Sequence, residues 1–472
     1  MLTLKIRNQK SQLYLNNQQL GQFLTERLAY YADNYRHAAK FKSGQWDGKI
    51  RFGSYYHPYF IFGTGLLLDV LSILKKNNME VIIQDERTVP EKRFECTVSS
   101  SLRDYQEDAV RAAIKNQRGI VWVPTAGGKT VIFSHLIARL GVPTLVLVRN
   151  TDLMGQTLHR IMDDLNLPSV GCIGGGVCSI DNFVTVGMLQ TMNQMLQDNP
   201  REFKKGMSYF DCLIVDEAHA INANAKAFTK VVEAIPSFYR YAFTATPSRG
   251  EKPTATDVTI VSCFGPVLHK ITRDELVNKG YIVEATVKII RNPAQVLYTR
   301  EDYLYRHETP QEAYRAAWNE LILEPNDRLE IISNILLKHP DEQVLIICDS
   351  VELAEKLSKG LNIQAVHGST DSSLREMIYN EFKAERIKKL IATNIYSEGV
   401  DFPGLSVCVL AEPFKSTIRL LQRIGRTMRI KEGKSSSVIY DIQDVNLPFF
   451  DKQAHERRKL YEREGIPYYT EA

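Results

Sequence analysis

Lys129 and Thr130 close the run Pro124-Thr125-Ala126-Gly127-Gly128-Lys129-Thr130, which follows an apolar stretch at Gly119–Val123 and precedes a helical pattern over Val131–Leu140. A strand, a glycine-bearing loop and a helix in that order can cradle phosphate. The glycines let backbone N–H groups approach the oxygens, Lys129 adds a point charge, and the Thr130 hydroxyl suits Mg2+. The strict motif has a further glycine five positions before Gly128, where this chain has Val123. Taken alone, the run also reads as a glycine-rich turn between strand and helix.

Asp216-Glu217-Ala218-His219 ends a second apolar run, Cys212–Val215. A carboxylate at the end of a hydrophobic strand can hold Mg2+ through its water shell, a role for Asp216. Glu217 can then orient or deprotonate an attacking water. In isolation the four residues also fit an acidic surface turn; a phosphate loop roughly 90 residues upstream favours the catalytic reading. A third cluster, Gln422-Arg423-Ile424-Gly425-Arg426-Thr427-Met428-Arg429, would be a basic helix face by itself. If a second α/β block closes over a nucleotide held by the first, Arg426 and Arg429 can neutralise charge developing on the γ-phosphate. Binding would then draw the blocks together and hydrolysis release them.

These segments need rigid elements to hold them. At 472 residues the chain exceeds one hydrophobic core, so two or three domains are expected. Apolar runs at Gly119–Val123, Thr144–Val148, Phe183–Val186, Cys212–Val215 and Arg240–Phe243 alternate with helical patterns. A second series starts near Gly280, with Val344–Cys348, Ile363–Val366, Lys389–Ala392, Ser406–Leu410 and Ser437–Tyr440. Such alternation predicts α/β blocks whose parallel sheets are covered on both faces. The organisation read from the sequence is residues 1–94 as a small N-terminal domain, 95–275 and 276–445 as the two blocks, and 446–472 as a charged helical tail. Residues 292–325 read as an irregular lead and then one helix.

The formal charge of +4 permits a polyanionic partner without demanding one. The seven cysteines form no C-x-x-C pair, so no structural metal is expected, and Cys212, Cys348 and Cys408 read as small buried hydrophobes. No apolar stretch is long enough to span a membrane. With no secretory leader read at the start, a reducing cytoplasmic compartment is expected. In the N-terminal region Lys40, Lys42, Lys49 and Arg51 interleave with Phe41, Trp46 and Phe52. The cations can hold phosphates and an aromatic can stack on an exposed base, although Trp46 and Phe52 equally suit the core of a small domain.

In order, the chain carries Leu102-Arg103-Asp104-Tyr105-Gln106, Pro124–Thr130, Leu147–Gln156, Asp216–His219, Thr244-Ala245-Thr246-Pro247, Val344–Asp349 with His367-Gly368, Ala392-Thr393 leading to Glu398-Gly399-Val400-Asp401, and Gln422–Arg429. The series resembles the ordered motifs of superfamily 2 helicases. That resemblance implies two tandem RecA-like domains, with ATP and Mg2+ as cofactors. It implies that Arg103 and Gln106 meet the adenine, that Thr125, Ala126, Gly127 and Gly128 line the phosphates, and that Gly399 and Asp401 approach from the second domain. His219, Thr244 and Thr246 would couple hydrolysis to motion, and Thr393 would touch the nucleic-acid backbone. Arg149 stands where the family often has proline, which leaves a phosphate contact there open.

Tyr31-Ala32-Asp33-Asn34-Tyr35-Arg36 and Phe41–Arg51 resemble the N-terminal region of UvsW-type helicases, the phage recombination and fork-remodelling group. This implies an α+β DNA-binding domain and a motor acting without sequence specificity on branched or forked DNA such as Holliday junctions (in the host cytoplasm, if phage-encoded). Asp-Glu-Ala-His and Thr-Ala-Thr depart from that relative's Asp-Glu-Cys-His and Ser-Gly-Ser. The motor subunit of a restriction system and an RNA helicase are the alternatives.

Overall fold

The computed structural model describes the chain apart from residues 1, 34, 125–126, 150, 182, 219–220, 222–225, 246–252, 293–297, 325, 394–401, 415–424, 426–430, 432–433, 435, 445–447, 464 and 472. It divides into two compact units, Met1–Pro124 with Gly128–Ile271, and Thr125–Gly127 with Thr272–Ala472.

In the first unit the strands Thr144–Val148 and Cys212–Val215 are buried at every residue. A strand with no polar face must be covered on both sides, which is the situation of a parallel sheet flanked by helices. The sheet has eight strands, in the spatial order Val177–Ser179, Gly171–Gly174, Val184–Met188, Thr144–Val148, Cys212–Val215, Tyr239–Thr244, Arg118–Trp122 and Val267–Lys270. All neighbours are parallel except the edge hairpin of the first two. Parallel order puts the ends of Arg118–Trp122 and Cys212–Val215 on one edge, where ligands of open α/β sheets collect. The strands expected from apolar runs are present within a residue or two. Val267–Lys270 and the edge hairpin were not expected; Val267–Lys270 and the outer hairpin strand Val177–Ser179 are short and largely exposed, and Gly171–Gly174 is short and glycine-rich.

The N-terminal sheet has the order Gly53–Tyr56, Tyr59–Gly63, Lys10–Tyr14, Leu2–Ile6, Val81–Asp85, antiparallel except for its last pair. Leu4, Leu13, Phe60 and Phe62 pack with Leu24 and Val70 of the helices Gln18–Arg27 and Leu67–Lys76. A two-stranded ribbon, Ala29–Tyr31 with Lys49–Arg51, stands beside it. The sequence reads this region as a domain ending at residue 94, and in the structure it lies in one compact unit with the first α/β block. The reason is the helix Ala255–Phe264. Its Ile260, Cys263 and Phe264 enter the core of the block, while Val258 enters the N-terminal core. A helix apolar on all sides must be buried all round. Asn8 Nδ2 donates to the Pro236 carbonyl at 2.9 Å and Gln9 Nε2 to that of Glu233 at 2.7 Å, adding polar fasteners.

The second unit is built on a seven-stranded parallel sheet ordered Ala365–Val366, Lys389–Ala392, Gln343–Ile347, Leu405–Leu410, Ser436–Gln443, Glu284–Arg291, Tyr468–Glu471. Besides the strand Glu284–Arg291, which the apolar runs did not mark, two features depart from expectation. The segment read as one helix contains two, Arg300–Arg306 and Pro310–Trp318, because Thr299 and Thr309 each cap a new start and Pro310 sits in the first turn. The tail read as helical runs from the helix Asp451–Arg463 into the edge strand Tyr468–Glu471. That helix is anchored from its buried side: Arg457 Nε lies 3.0 Å from Asp441 Oδ1, and the Tyr461 hydroxyl donates to Asp441 Oδ2 at 2.9 Å.

Candidate nucleotide site and nucleic-acid interface

Gly128 precedes the helix Lys129–Leu140 with φ 74° and ψ 40°, the left-handed conformation that glycine adopts without a Cβ penalty. A Cβ there would lie 2.5 Å from Gln106 Nε2. Gln106 is buried, and its Oε1 accepts from the Arg103 backbone N–H at 2.9 Å at the start of the helix Asp104–Asn116. The segment Leu102–Gln106 is thereby fixed against the phosphate loop. Glu107, the next residue, forks onto Arg139 of the loop's own helix at 2.9 and 2.5 Å. The Arg139 guanidinium holds the Glu107 carboxyl down at about 2, against the upward push of burial, and Arg111 adds to the lowering.

From the end of Cys212–Val215, Glu217 reaches the Lys129 ammonium in a direct ion pair. Burial alone would lower the Lys129 pKa; the carboxylates of Glu217 and Asp216 outweigh it, and the net direction is upward, so the ammonium is held charged. Glu217 has φ 50°, a left-handed backbone at a non-glycine residue. Such strain is held in place by its surroundings and clusters at functional sites. Asp216 is buried at the strand end, and its Oδ1 accepts the Glu217 backbone N–H at 2.9 Å. Thr130, half-buried, begins the first turn of the loop's helix, and Thr244 is fully buried at the end of Tyr239–Thr244. The arrangement supplies what a Mg2+–nucleotide requires. A helix N-terminus opened by glycine, one ammonium and two strand-end carboxylates come together within a single unit, with Thr130 in the same first turn of the helix.

Of the other residues singled out in the sequence, Thr125, Ala126, His219, Thr246, Gly399, Asp401, Gln422, Arg426 and Arg429 lie outside the described residues. Gly127 is described and buried, Arg103 is half-buried and Arg149 exposed. Thr393, in the second unit, is buried at the end of Lys389–Ala392. Glu107 and Arg139 escaped sequence reasoning, since their pairing joins two helices and has no local signature.

The N-terminal basic segment separates into two groups. Arg51 donates to Asp47 and Glu26 at 2.7 and 2.9 Å, and Lys49 lies 3.9 Å from Glu26. Trp46 is half-buried with its indole N–H on the Lys49 carbonyl at 2.9 Å, and Phe52 packs edge-on to Tyr30 beside the core. These are structural positions first. Lys40 and Lys42, on the short helix Ala39–Lys42, are exposed, and among the described residues no carboxylate pairs with them.

Comparison with known proteins agrees with this geometry. Residues 99–249 match the family described as "Type III restriction enzyme, res subunit", and residues 327–431 match "Helicase conserved C-terminal domain". The DNA 3'-5' translocase XPB2 of Sulfurisphaera tokodaii is 27% identical over 71% of this chain and 80% of its own length. The ATP-dependent DNA helicase uvsW of Enterobacteria phage T4 is 24% identical over 89% of this chain and 86% of its own. Among solved structures, the DNA-bound restriction-modification enzyme LlaBIII has a TM-score of 0.55 at 16% identity, covering 84% of this chain and 32% of that one. RNA-bound Dbp5 of S. cerevisiae has 0.52 at 16%, covering 78% and 89%. The two structural likenesses establish the fold and do not choose between DNA and RNA. With both halves of the motor matched in order by these two families, the chain belongs to the superfamily 2 helicases.

Proposed function

We propose that the chain is an ATP-dependent DNA helicase or translocase that unwinds or migrates branched DNA, such as forks, Holliday junctions and D-loops, in phage-type recombination, repair and replication restart. The observation that carries this reading is the extent of the match to uvsW, over 89% of this chain, and it is supported by the exposed Lys40 and Lys42 of the N-terminal region. In this reading Lys129 and Thr130 hold the nucleotide with Mg2+, which neutralises phosphate charge when bound. Asp216 holds the metal's water shell, Glu217 orients the attacking water, and Arg103 and Gln106 stand at the base. Gln422, Arg426, Arg429, His219, Thr246, Gly399 and Asp401 take their roles from motif order alone. Phosphate contacts position such a motor without reading sequence.

A second reading is a restriction-type translocase, favoured by the res-subunit match over residues 99–249. ATPase stimulation by forked DNA, linear duplex, single strands and RNA separates the readings. Strongest stimulation by forks is expected, linear duplex alone would favour the restriction motor, and RNA alone would overturn the DNA assignment. Lys129→Ala should abolish hydrolysis with DNA binding retained, and Glu217→Gln should bind ATP while hydrolysing at least a hundredfold more slowly, the scale of a lost general base. Full turnover by either variant refutes the nucleotide site.

A further inference from the structure

Tyr31 and Tyr35 stack on one another, centroids 4.5 Å apart with planes inclined by 21°, and the Phe41 ring packs edge-on against Tyr35 at 4.8 Å. Tyr31 is 49% exposed, an unusual position for an aromatic ring already paired with a second. Around the stack the charge is cationic. The Lys49 ammonium lies 5.6 Å from the Tyr31 centroid, and Arg36 lies 5.7 Å from that of Tyr35, with its Nε donating to the Tyr35 hydroxyl at 3.3 Å. Lys40 and Lys42 are exposed on the helix that carries Phe41. The nearby carboxylates are already engaged: Asp47 and Glu26 by Arg51, and Asp33 by the Thr256 hydroxyl at 2.5 Å. That last bond ties the stack's own turn to the helix Ala255–Phe264, so the platform is held by the motor unit.

We propose that Tyr31, backed by Tyr35, is a stacking platform for one unpaired base of a DNA strand, with Lys40 and Lys42 receiving the flanking phosphates. This rests on the proposed DNA function and sharpens it. Trp46, the aromatic that the sequence offered for stacking, has its indole committed to the Lys49 carbonyl. The exposed ring is Tyr31. Aromatic stacking tolerates every base, and the cations accept any phosphate, so the site would detect single-strandedness rather than sequence. Unpaired bases beside a duplex are what a fork with a single-stranded arm or a D-loop presents.

The full-length protein would be titrated, by fluorescence anisotropy over a range of salt, with an oligothymidylate, the same strand carrying abasic residues, and a blunt duplex. Tyr31→Ala should weaken binding of the oligothymidylate about tenfold, the scale of one lost base stack. It should leave the salt slope, the abasic strand and the duplex unchanged. Tyr31→Phe should bind as the wild type. Tyr31→Leu, which keeps an apolar side chain but no π-face, should behave as Tyr31→Ala, so that a folding defect confined to the alanine variant does not decide the matter. Lys40→Ala with Lys42→Ala should flatten the salt slope on single strands by about 1.4, at about 0.7 per lost phosphate contact. Equal affinity of the Tyr31→Leu variant and the wild type for oligothymidylate, with the lysine effect intact, overturns the platform and leaves the DNA reading standing. Failure of every DNA to bind the wild type would instead remove the proposed function itself.

Discussion

The nucleotide site depends on individual atoms, and Gly128 is the position with least freedom. Its left-handed φ would cost an L-residue roughly 1–2 kcal/mol, and a methyl there would also collide with Gln106 Nε2. Gly128→Ala should therefore weaken ATP binding by tenfold or more, measured with a fluorescent nucleotide, while lowering the melting midpoint by only a few degrees. Because Gln106 is itself assigned to the base, the comparison is made in the Gln106→Ala background: a smaller cost of Gly128→Ala there than in the wild type makes collision the larger cause, and an equal cost makes it backbone strain. The direct Lys129–Glu217 pair has a related meaning. Under the proposed ATPase function, an incoming γ-phosphate would compete with Glu217 for the ammonium, and release of that carboxylate would leave it able to orient water. Much of this was legible in the sequence, because a phosphate loop and a strand-end acidic motif are local patterns. The left-handed backbone of Glu217 was not, since only the surrounding packing imposes it.

Helices carry the loop, and two pairings between elements can be tested. Glu107 clamps the helix Asp104–Asn116 to Lys129–Leu140 through Arg139. Its carboxyl is lowered in the fold from an ordinary 4.5 to about 2, so its contribution to stability is complete above about 4.5 and lost as pH falls toward 2. The melting-point difference between wild type and Glu107→Gln should hence be constant from neutral pH down to that limit and then shrink toward zero. For a partly exposed pair the difference should correspond to about 1 kcal/mol or less. A difference that grew on acidification would refute the clamp. In the second unit, Arg457 and Asp441 form a fully buried pair, and removing one partner of such a pair typically costs about 3–5 kcal/mol. Arg457→Met should destabilise the unit strongly in a denaturant titration. Adding Asp441→Asn should recover part of the loss, because a neutral amide tolerates burial better than an unpaired carboxylate. No recovery would mean that Arg457 matters through its packing alone. Strands with continuous apolar faces were readable from sequence to within a residue or two. The short edge strand Tyr468–Glu471 was hidden because edge strands keep polar residues.

At the scale of the first unit, the helix Ala255–Phe264 joins the N-terminal sheet to the nucleotide-binding sheet, and it is what the sequence concealed. A run such as Ala-Thr-Asp-Val-Thr-Ile-Val-Ser-Cys-Phe has no polar face to signal two partners, so the N-terminal region read as a separate domain. Yet Gly65 approaches this helix so closely that a Cβ would sit 1.9 Å from the Val261 carbonyl oxygen, and Gly63 would meet Ser262 in the same way. Both contacts are to the helix backbone or to a side chain pinned beside it, where little relief is available. The helix emerges from the segment containing Thr244, at the end of a central strand of the nucleotide sheet. Gly65→Ala should therefore loosen the N-terminal sheet from the motor without touching the nucleotide residues. Limited proteolysis should cut faster between residues 86 and 103, the irregular stretch after Val81–Asp85. Basal ATPase should persist, and stimulation by DNA should fall several-fold. Unchanged stimulation together with faster cleavage would show that the N-terminal sheet binds DNA independently of the motor. Retention of both would mean that the close approach is relieved locally, leaving the polar fasteners at Asn8 and Gln9 to hold the two sheets together.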